Sequence, residues 1–143
     1  MLSAESNPTD SSLIGRNLWL FWVLLILIVS IYPCGDPHAH PHWEKVDWVP
    51  FKGLWRSAGL LIDAVENVLL YVPLGFFYGQ SRLHSRRPVV IKVALLSVLL
   101  SVGCEFLQVF CHDRHPTMTD VAMNLTGGVL GAIGALCYRP EKQ

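Results

Sequence analysis

The chain contains little charge for its length, and this scarcity excludes several kinds of protein. Only 15% of its 143 residues are Asp, Glu, Lys or Arg, whereas a typical soluble domain has about 25%. Lys plus Arg and Asp plus Glu number 11 each, so the basic excess of a nucleic-acid-binding protein is missing. With 52% hydrophobic residues, most of the chain is too apolar to be disordered. The mean hydropathy of +0.39 therefore indicates a membrane protein.

Four stretches are long and apolar enough to cross a bilayer as helices, each with about 20 mostly apolar residues. They cover about residues 13–32, 59–80, 89–111 and 117–138. The alternating pattern of a barrel strand is missing, so helices are the expected way to span the bilayer. We predict an all-α membrane protein, a four-helix bundle over residues 13–138. A disordered N-terminal tail at 1–12 and a C-terminal tail at 139–143 are expected to flank it.

The first span differs from the other three, because it carries no charged residue between Leu18 and Tyr32. A signal peptide is the alternative, but the apolar core is long and no A-x-A-like site follows it. We interpret it as a retained anchor. Because it has no charged side chain that has to be kept away from lipid, this span is expected to lie at the periphery of the bundle.

The distribution of Lys and Arg predicts the orientation of the spans. If both termini are in the cytoplasm, seven basic residues lie inside and four outside, and the short RLHSRR loop is inside, where the positive-inside rule is most reliable. The inner set is Arg16, Arg82, Arg86, Arg87, Lys92, Arg139 and Lys142, and the outer set is Lys45, Lys52, Arg56 and Arg114.

The polar residues within the last three spans fall at helical spacing, so each span presents one polar stripe. At 1.5 Å per residue, the stripes fall at matching depths in the outer leaflet, and Arg114 lies directly above them in a short loop. We predict one pocket that opens to the extracytoplasmic side. Its residues are Asp63, Glu66, Asn67, Tyr71, Glu105, Gln108, Arg114, Asp120 and Asn124.

A purely structural role is the alternative for part of this set. The amides are also explained as interhelical hydrogen bonds, worth about 0.6 kcal/mol each, and Asp63 and Asp120 as helix caps or interfacial residues. Ionisable groups inside a span are costly, and for Glu66 and Glu105 we favour a function. If the site is catalytic, the candidates are Glu66, Glu105, Arg114 and Asp120.

Histidine, cysteine and glycine patterns suggest further features. His38, His40 and His42 alternate in the first loop, and His112 and His115 lie in the neighbouring outer loop. In an extended loop the three alternating side chains point the same way and could hold a metal, and His112 and His115 could join them. The alternative is a plain polar loop, which we favour because no acidic or Cys spacing completes a ligand set, and we expect no cofactor. Cys34 and Cys111 are both predicted on the outer side of the membrane, where they could form a disulfide if the compartment is oxidising. Gly127 and Gly131 form a G-x-x-x-G pattern, which favours close helix packing and neither requires nor excludes a homodimer.

Two stretches together resemble the VanZ-like membrane proteins. The first is NVLLYVPLGFF, from Asn67 to Phe77, and the second runs from Ser101 to Tyr138. The second holds the order E-x-x-Q, R, D-x-x-x-N before a glycine-rich helix. The resemblance covers about half the chain and implies a small multi-pass protein of the bacterial cytoplasmic membrane, in a family whose namesake is linked to teicoplanin resistance. The long His- and Pro-rich first loop departs from the family's common arrangement.

Three functions are compatible with this pattern, and we rank them in order. The first is a binding or accessory protein that holds a lipid-linked envelope precursor and so alters sensitivity to a cell-surface agent. The second is an enzyme in which Glu66 and Glu105 perform acid-base chemistry and Arg114 holds an anion. The third is an assembly protein whose polar layer only sets helix register. The expected partners are the lipid bilayer and the envelope precursor.

The predicted orientation is tested by cysteine accessibility in intact cells. A cysteine introduced into the loop from Arg82 to Arg87 is expected to resist a membrane-impermeant thiol reagent, because the basic cluster holds this loop in the cytoplasm. A cysteine at Lys52 is expected to react. Labelling of the basic loop from outside would overturn the orientation and the placement of the pocket with it.

Overall fold

The computed structural model describes residues 8–32, 34, 40–82 and 86–138, and these ranges form a bundle of four α-helices. The helices are α1 (Pro8–Ile31), α2 (Ala58–Ser81), α3 (Arg86–Gln108) and α4 (Met118–Cys137). Two short 3-10 helices, Trp43–Lys45 and Leu54–Arg56, lie between α1 and α2. All four α-helices are long and apolar enough to cross a membrane, and the described ranges contain no strand. The predicted fold class is therefore confirmed, and the orientation of the termini stays a prediction.

Helix α1 begins earlier than predicted. It starts at Pro8, so residues 8–12 belong to the helix and the prediction of a disordered tail up to residue 12 is corrected. Proline suits the first position of a helix, because its φ is already helical and the N–H that it lacks would have no partner there. Residues 1–7 lie outside the described ranges.

Helix α3 ends earlier than predicted, at Gln108 instead of residue 111. The N–H groups of Phe110 and Cys111 donate to carbonyl oxygens three residues back, at 3.2 and 2.9 Å. This tighter winding is a common way for a helix to end. It turns the chain so that Cys111 meets Cys34 in a disulfide, with a Cα–Cα distance of 5.3 Å.

Helices α2 and α4 make the closest contact of the bundle, and glycine makes that contact possible. A Cβ added at Gly127 would overlap the carbonyl oxygen of Val68, and one at Gly131 would overlap that of Val72. From the other side, a Cβ at Gly75 would overlap the Gly128 carbonyl oxygen. The two backbones therefore touch along several turns, which is how small residues promote helix association in a membrane.

Helix α3 packs on the other side of α4, so α4 lies between α2 and α3. Val89 and Val93 are buried together with Ala132, and Ser97 is fully buried. A Cβ at Gly128 would overlap the Ser97 side chain. Helix α4 therefore presents small residues both to α2 and to α3.

Helix α1 covers α2 and α3 from outside. Ile26 is fully buried in a cluster with Tyr71, Leu74 and Cys104, and Trp22 Nε1 donates to the Leu70 carbonyl oxygen at 2.7 Å. Its opposite face is exposed and apolar, as lipid contact requires. The helix is thus outermost but packed, and it is less peripheral than its lack of charge suggested.

The glycine contact between α2 and α4 predicts a position-specific loss of stability. Gly131→Ala is expected to cost about 1–3 kcal/mol, because the new methyl group has to displace the α2 backbone. Gly103→Ala is the matched control, since a Cβ there meets nothing within 4 Å. Thermal unfolding in detergent measures both, and equal midpoints for the two variants would contradict the close contact.

Candidate functional site

A polar cavity of about 680 Å³ lies at the end of the bundle where α1 and α3 end and α2 and α4 begin. All four helices contribute to its wall, together with the segment between α1 and α2 and the turn between α3 and α4. The predicted pocket residues that line it are Asp63, Glu66, Asn67, Glu105, Gln108, Arg114, Asp120 and Asn124. Folding thus brings together the polar stripes of three separate spans.

Tyr71 is the one predicted pocket residue that does not line the cavity. Its side chain is 1% exposed and packs against Ile26, Leu74 and Cys104. It lies one helical turn below Asn67, at the level where α1 covers α2. Helical spacing placed it on the polar stripe, but the stripe ends at Asn67.

Hydrogen bonds join the three polar spans near the cavity. Asn67 Nδ2 donates to Asp120 Oδ1 at 2.8 Å, which links α2 to α4. The backbone N–H of Thr117 donates to Glu105 Oε2 at 2.9 Å, which links the start of α4 to α3. The Thr117 hydroxyl in turn accepts from the Asp120 N–H at 3.0 Å and caps α4. Asp120 therefore belongs to the first turn of α4, as the alternative interpretation expected, and it also lines the cavity.

Two residues of the cavity wall keep a buried polar atom without a hydrogen-bond partner. Asn124 is 4% exposed, and its Nδ2 donates to Ser101 Oγ at 2.8 Å. Its Oδ1 has no partner, and neither has Nε of Arg114. Most buried polar atoms in proteins are paired, so each exception calls for an explanation. A polar ligand in the cavity is such an explanation.

The charge of the cavity wall is mainly negative. Only two cationic side chains, Lys52 and Arg114, occur in the described part of the wall. Lys52 lies 3.9 Å from Asp47, and both side chains are well exposed, so this pair contributes little stability. The carboxylates of the wall are Asp47, Asp63, Glu66, Glu105, Asp113 and Asp120.

The segment between α1 and α2 supplies wall residues that sequence patterns did not indicate. Asp47 forms a parallel bridge with Thr117: its N–H donates to the Pro116 carbonyl oxygen at 2.9 Å, and its own carbonyl accepts from Met118 at 3.0 Å. This pairing brings Asp47 and Lys52 over the cavity. Ser30 of α1 also lines the cavity, and its backbone carbonyl oxygen accepts a hydrogen bond from Gln108 Nε2 at 3.1 Å.

An apolar groove of about 500 Å³ adjoins the polar cavity. Leu54 lines both and is almost fully buried. The groove runs between the outer faces of α2 and α4 and the segment before α2. Its residues are Phe51, Leu54, Trp55, Leu61, Ala64, Val65, Val68, Leu69 and Met123.

Three histidines cluster beside the disulfide, away from the cavity wall. His40, His42 and His112 place their ligand atoms within 4.8 Å of one another. His38 lies outside the described residues, and His115 lines the cavity instead. Glu44 accepts hydrogen bonds from its own backbone and from His42, and both lower the pKa of its carboxyl group.

The four apolar helices and the cavity define the chain as a multi-pass membrane protein with a polar site at one end of its bundle. A family model described as VanZ/LLP1 matches residues 18–139, and the chain belongs to this family. The resemblance of its second, third and fourth spans is thereby confirmed. No curated protein and no solved structure matches the chain.

The bond from the Thr117 N–H to Glu105 predicts which changes at position 105 the fold tolerates. Glu105→Gln keeps an oxygen acceptor and is expected to unfold within a few degrees of the unchanged protein. Glu105→Leu leaves the partly buried Thr117 N–H without its acceptor and is expected to lower the free energy of unfolding by about 1–3 kcal/mol. Thermal unfolding in detergent distinguishes them. A Leu variant as stable as the Gln variant would contradict the structural role of this bond.

Proposed function

We propose that this VanZ-like protein is a binding or accessory protein of the bacterial cytoplasmic membrane that holds an amphiphilic lipid of the cell envelope. The observation that carries the proposal is the junction at Leu54, where the polar cavity meets the apolar groove. A headgroup in the cavity and an acyl chain in the groove would be continuous across that residue. The lipid-linked envelope precursor expected from the sequence has this amphiphilic character.

The charges of the cavity wall favour a zwitterionic headgroup. Carboxylates such as Glu66, Glu105 and Asp120 suit an ammonium group, and Arg114 with Lys52 suits a phosphate. A purely anionic headgroup would meet an excess of like charge. The unpartnered Nε of Arg114 and Oδ1 of Asn124 offer one donor and one acceptor to such a ligand.

The disulfide and the exposed aromatic residues support an extracytoplasmic cavity. Cys34–Cys111 lies at the cavity end, and disulfides persist in oxidising compartments. Trp48 and Trp55 are exposed at the same end, as tryptophans at a membrane–water interface commonly are. Both observations agree with the Lys and Arg asymmetry, and we infer that both termini are in the cytoplasm.

A role in antibiotic sensitivity rests on family membership. A protein that sequesters an envelope lipid in the outer leaflet changes the surface that a glycopeptide such as teicoplanin meets. We therefore propose that this chain contributes to teicoplanin resistance through lipid binding. This role requires no chemistry at the cavity.

A membrane enzyme is the second candidate, because one cavity holds Glu66, Glu105 and Arg114 together. The two glutamates would act as general acid and base on a lipid-linked or anionic substrate that Arg114 holds. If the protein is an enzyme, it releases a chemically altered lipid. If it is a binding protein, it releases the lipid unaltered. A purely structural role for the polar layer is less favoured, because a polar ligand would supply partners for Arg114 Nε and Asn124 Oδ1, which a structural role leaves unpaired.

The proposal is tested with vesicles of phosphatidylethanolamine and phosphatidylglycerol in equal parts. The protein is reconstituted, extracted in mild detergent, and its retained lipid is identified by mass spectrometry. Phosphatidylethanolamine is expected to predominate, and Glu105→Gln to lower that preference roughly ten- to a hundredfold, as for a lost charge-assisted bond. Glu44→Gln is the control, because Glu44 does not line the cavity.

Two outcomes would contradict the proposal. One is equal retention of both lipids, and the other is an unchanged preference in Glu105→Gln. Chemically altered phosphatidylethanolamine would instead favour the enzyme. In bacteria that express the protein, teicoplanin resistance is expected to fall with Glu105→Gln and not with Glu44→Gln.

A further inference from the structure

The three clustered histidines come from two segments that are far apart in the sequence. His40 and His42 precede α2, and His112 directly follows Cys111. The ring centroids of His40 and His42 are 4.7 Å apart, and those of His42 and His112 are 4.3 Å apart. The third pair, His40 and His112, is separated by 5.9 Å. The fold therefore brings three imidazoles from two separate loops next to one another.

His42 is oriented as a metal ligand would be. Its Nδ1 lies 3.1 Å from Glu44 Oε1, and a carboxylate can only accept, so Nδ1 carries the proton. In the neutral imidazole, the form that binds metals, Nε2 then keeps its lone pair. His42 is only 8% exposed, and its Nε2 is buried without a hydrogen-bond partner. A carboxylate that holds the far nitrogen of a histidine is the usual support of a metal-binding imidazole.

The backbone around the cluster is held by contacts that require no metal. The Cys34–Cys111 disulfide joins the two segments next to the histidines. The N–H of His42 donates to the Val109 carbonyl oxygen at 2.9 Å, and Lys45 Nζ donates to the His112 carbonyl oxygen at 2.7 Å. A site ordered in this way loses less entropy when it binds a ligand.

We propose that His40, His42 and His112 form a binding site for one divalent transition-metal ion, Zn²⁺ or Cu²⁺. Both ions accept imidazole ligands. In a tetrahedral zinc site the ligand nitrogens are roughly 3.3 Å apart, so the observed separations of up to 4.8 Å close by about 1.5 Å at most. Three protein ligands leave a fourth position for water or another molecule.

This site is separate from the acidic cavity and does not depend on the proposed lipid function. None of the three histidines lines the cavity. The sequence pattern favoured a plain polar loop because no Cys or acidic ligand spacing completes the HxHxH triplet. The fold brings His40 and His42 of that triplet together with His112. Glu44 accepts a hydrogen bond from Nδ1 of His42.

The test uses the full chain in detergent, with its disulfide intact and a purification tag that lacks histidine. Metal-free protein is dialysed against Zn²⁺ alone or Cu²⁺ alone, and bound metal is counted by mass spectrometry. The unchanged protein is expected to bind one ion per chain in either arm. Affinity alone does not distinguish the two metals, because most imidazole sites bind Cu²⁺ more tightly than Zn²⁺, so the coordination geometry has to do so. Co²⁺ is expected to give the intense visible absorption of a tetrahedral site if zinc is the preferred ion.

The variants separate this site from adventitious histidine binding. His112→Ala and His40→Ala are expected to lower the affinity at least tenfold, and Glu44→Gln about 10- to 100-fold through loss of the supporting carboxylate. His115→Ala removes an imidazole from the same turn and is expected to bind normally.

Three results would overturn the proposal. They are binding of well under one ion per chain, an equal loss in His115→Ala, and unchanged binding in His40→Ala. His40 is exposed, so its variant is expected to fold even if His42→Ala does not. As an independent readout, the metal is expected to raise the unfolding temperature of the unchanged protein and not that of His40→Ala.

Discussion

The direct backbone contact between α2 and α4 is the constraint on which the rest of the structure depends. In a bilayer, apolar side chains gain little by leaving lipid for a neighbouring helix, so close packing and hydrogen bonds have to hold helices together. Here glycines on both helices allow carbonyl groups to meet the opposite backbone. That approach brings Asn67 within 2.8 Å of Asp120. The polar end of the bundle is therefore a consequence of packing in its apolar middle.

The two ends of the bundle are built differently. Below Asn67, buried residues such as Tyr71 and Leu74 form a closed apolar core. Above it, carboxylates and amides on three helices surround a cavity instead of pairing with cations, and the described parts of the wall supply only Lys52 and Arg114 as full positive charges. Carboxylates within a span are costly and tend to mark a functional pathway or site. The disulfide and the Asp47–Thr117 bridge hold the loops over this end.

Sequence patterns were sufficient for the helices and for eight of the residues that line the cavity. Hydropathy located all four spans, because each is mostly apolar over about 20 residues, and helical spacing placed Glu105 and Gln108 on one face. Spacing could not show where the stripe on α2 ends, because α1 covers Tyr71 only in the folded bundle. It also gave no information about the loops. The position of Asp47 depends on a bridge to a residue 70 positions away, which no local pattern encodes.

The histidines illustrate the same limit from another side. The alternation of His38, His40 and His42 drew attention to the first loop, but alternation is a local property. The cluster depends on His112, which the disulfide and the Val109 carbonyl bring beside His42. Chemistry that is assembled from two loops becomes visible only when their relative positions are known.

We propose that the polar cavity and the apolar groove form one amphiphile site joined at Leu54. The most direct measurement is an experimental structure of the protein in a lipid nanodisc at a resolution that shows bound lipid. Continuous density is expected, with a headgroup between Glu105 and Arg114 and a chain that passes Leu54 into the groove beside Val68. A cavity that holds only water, with lipid density confined to the outer surface of the helices, would contradict it.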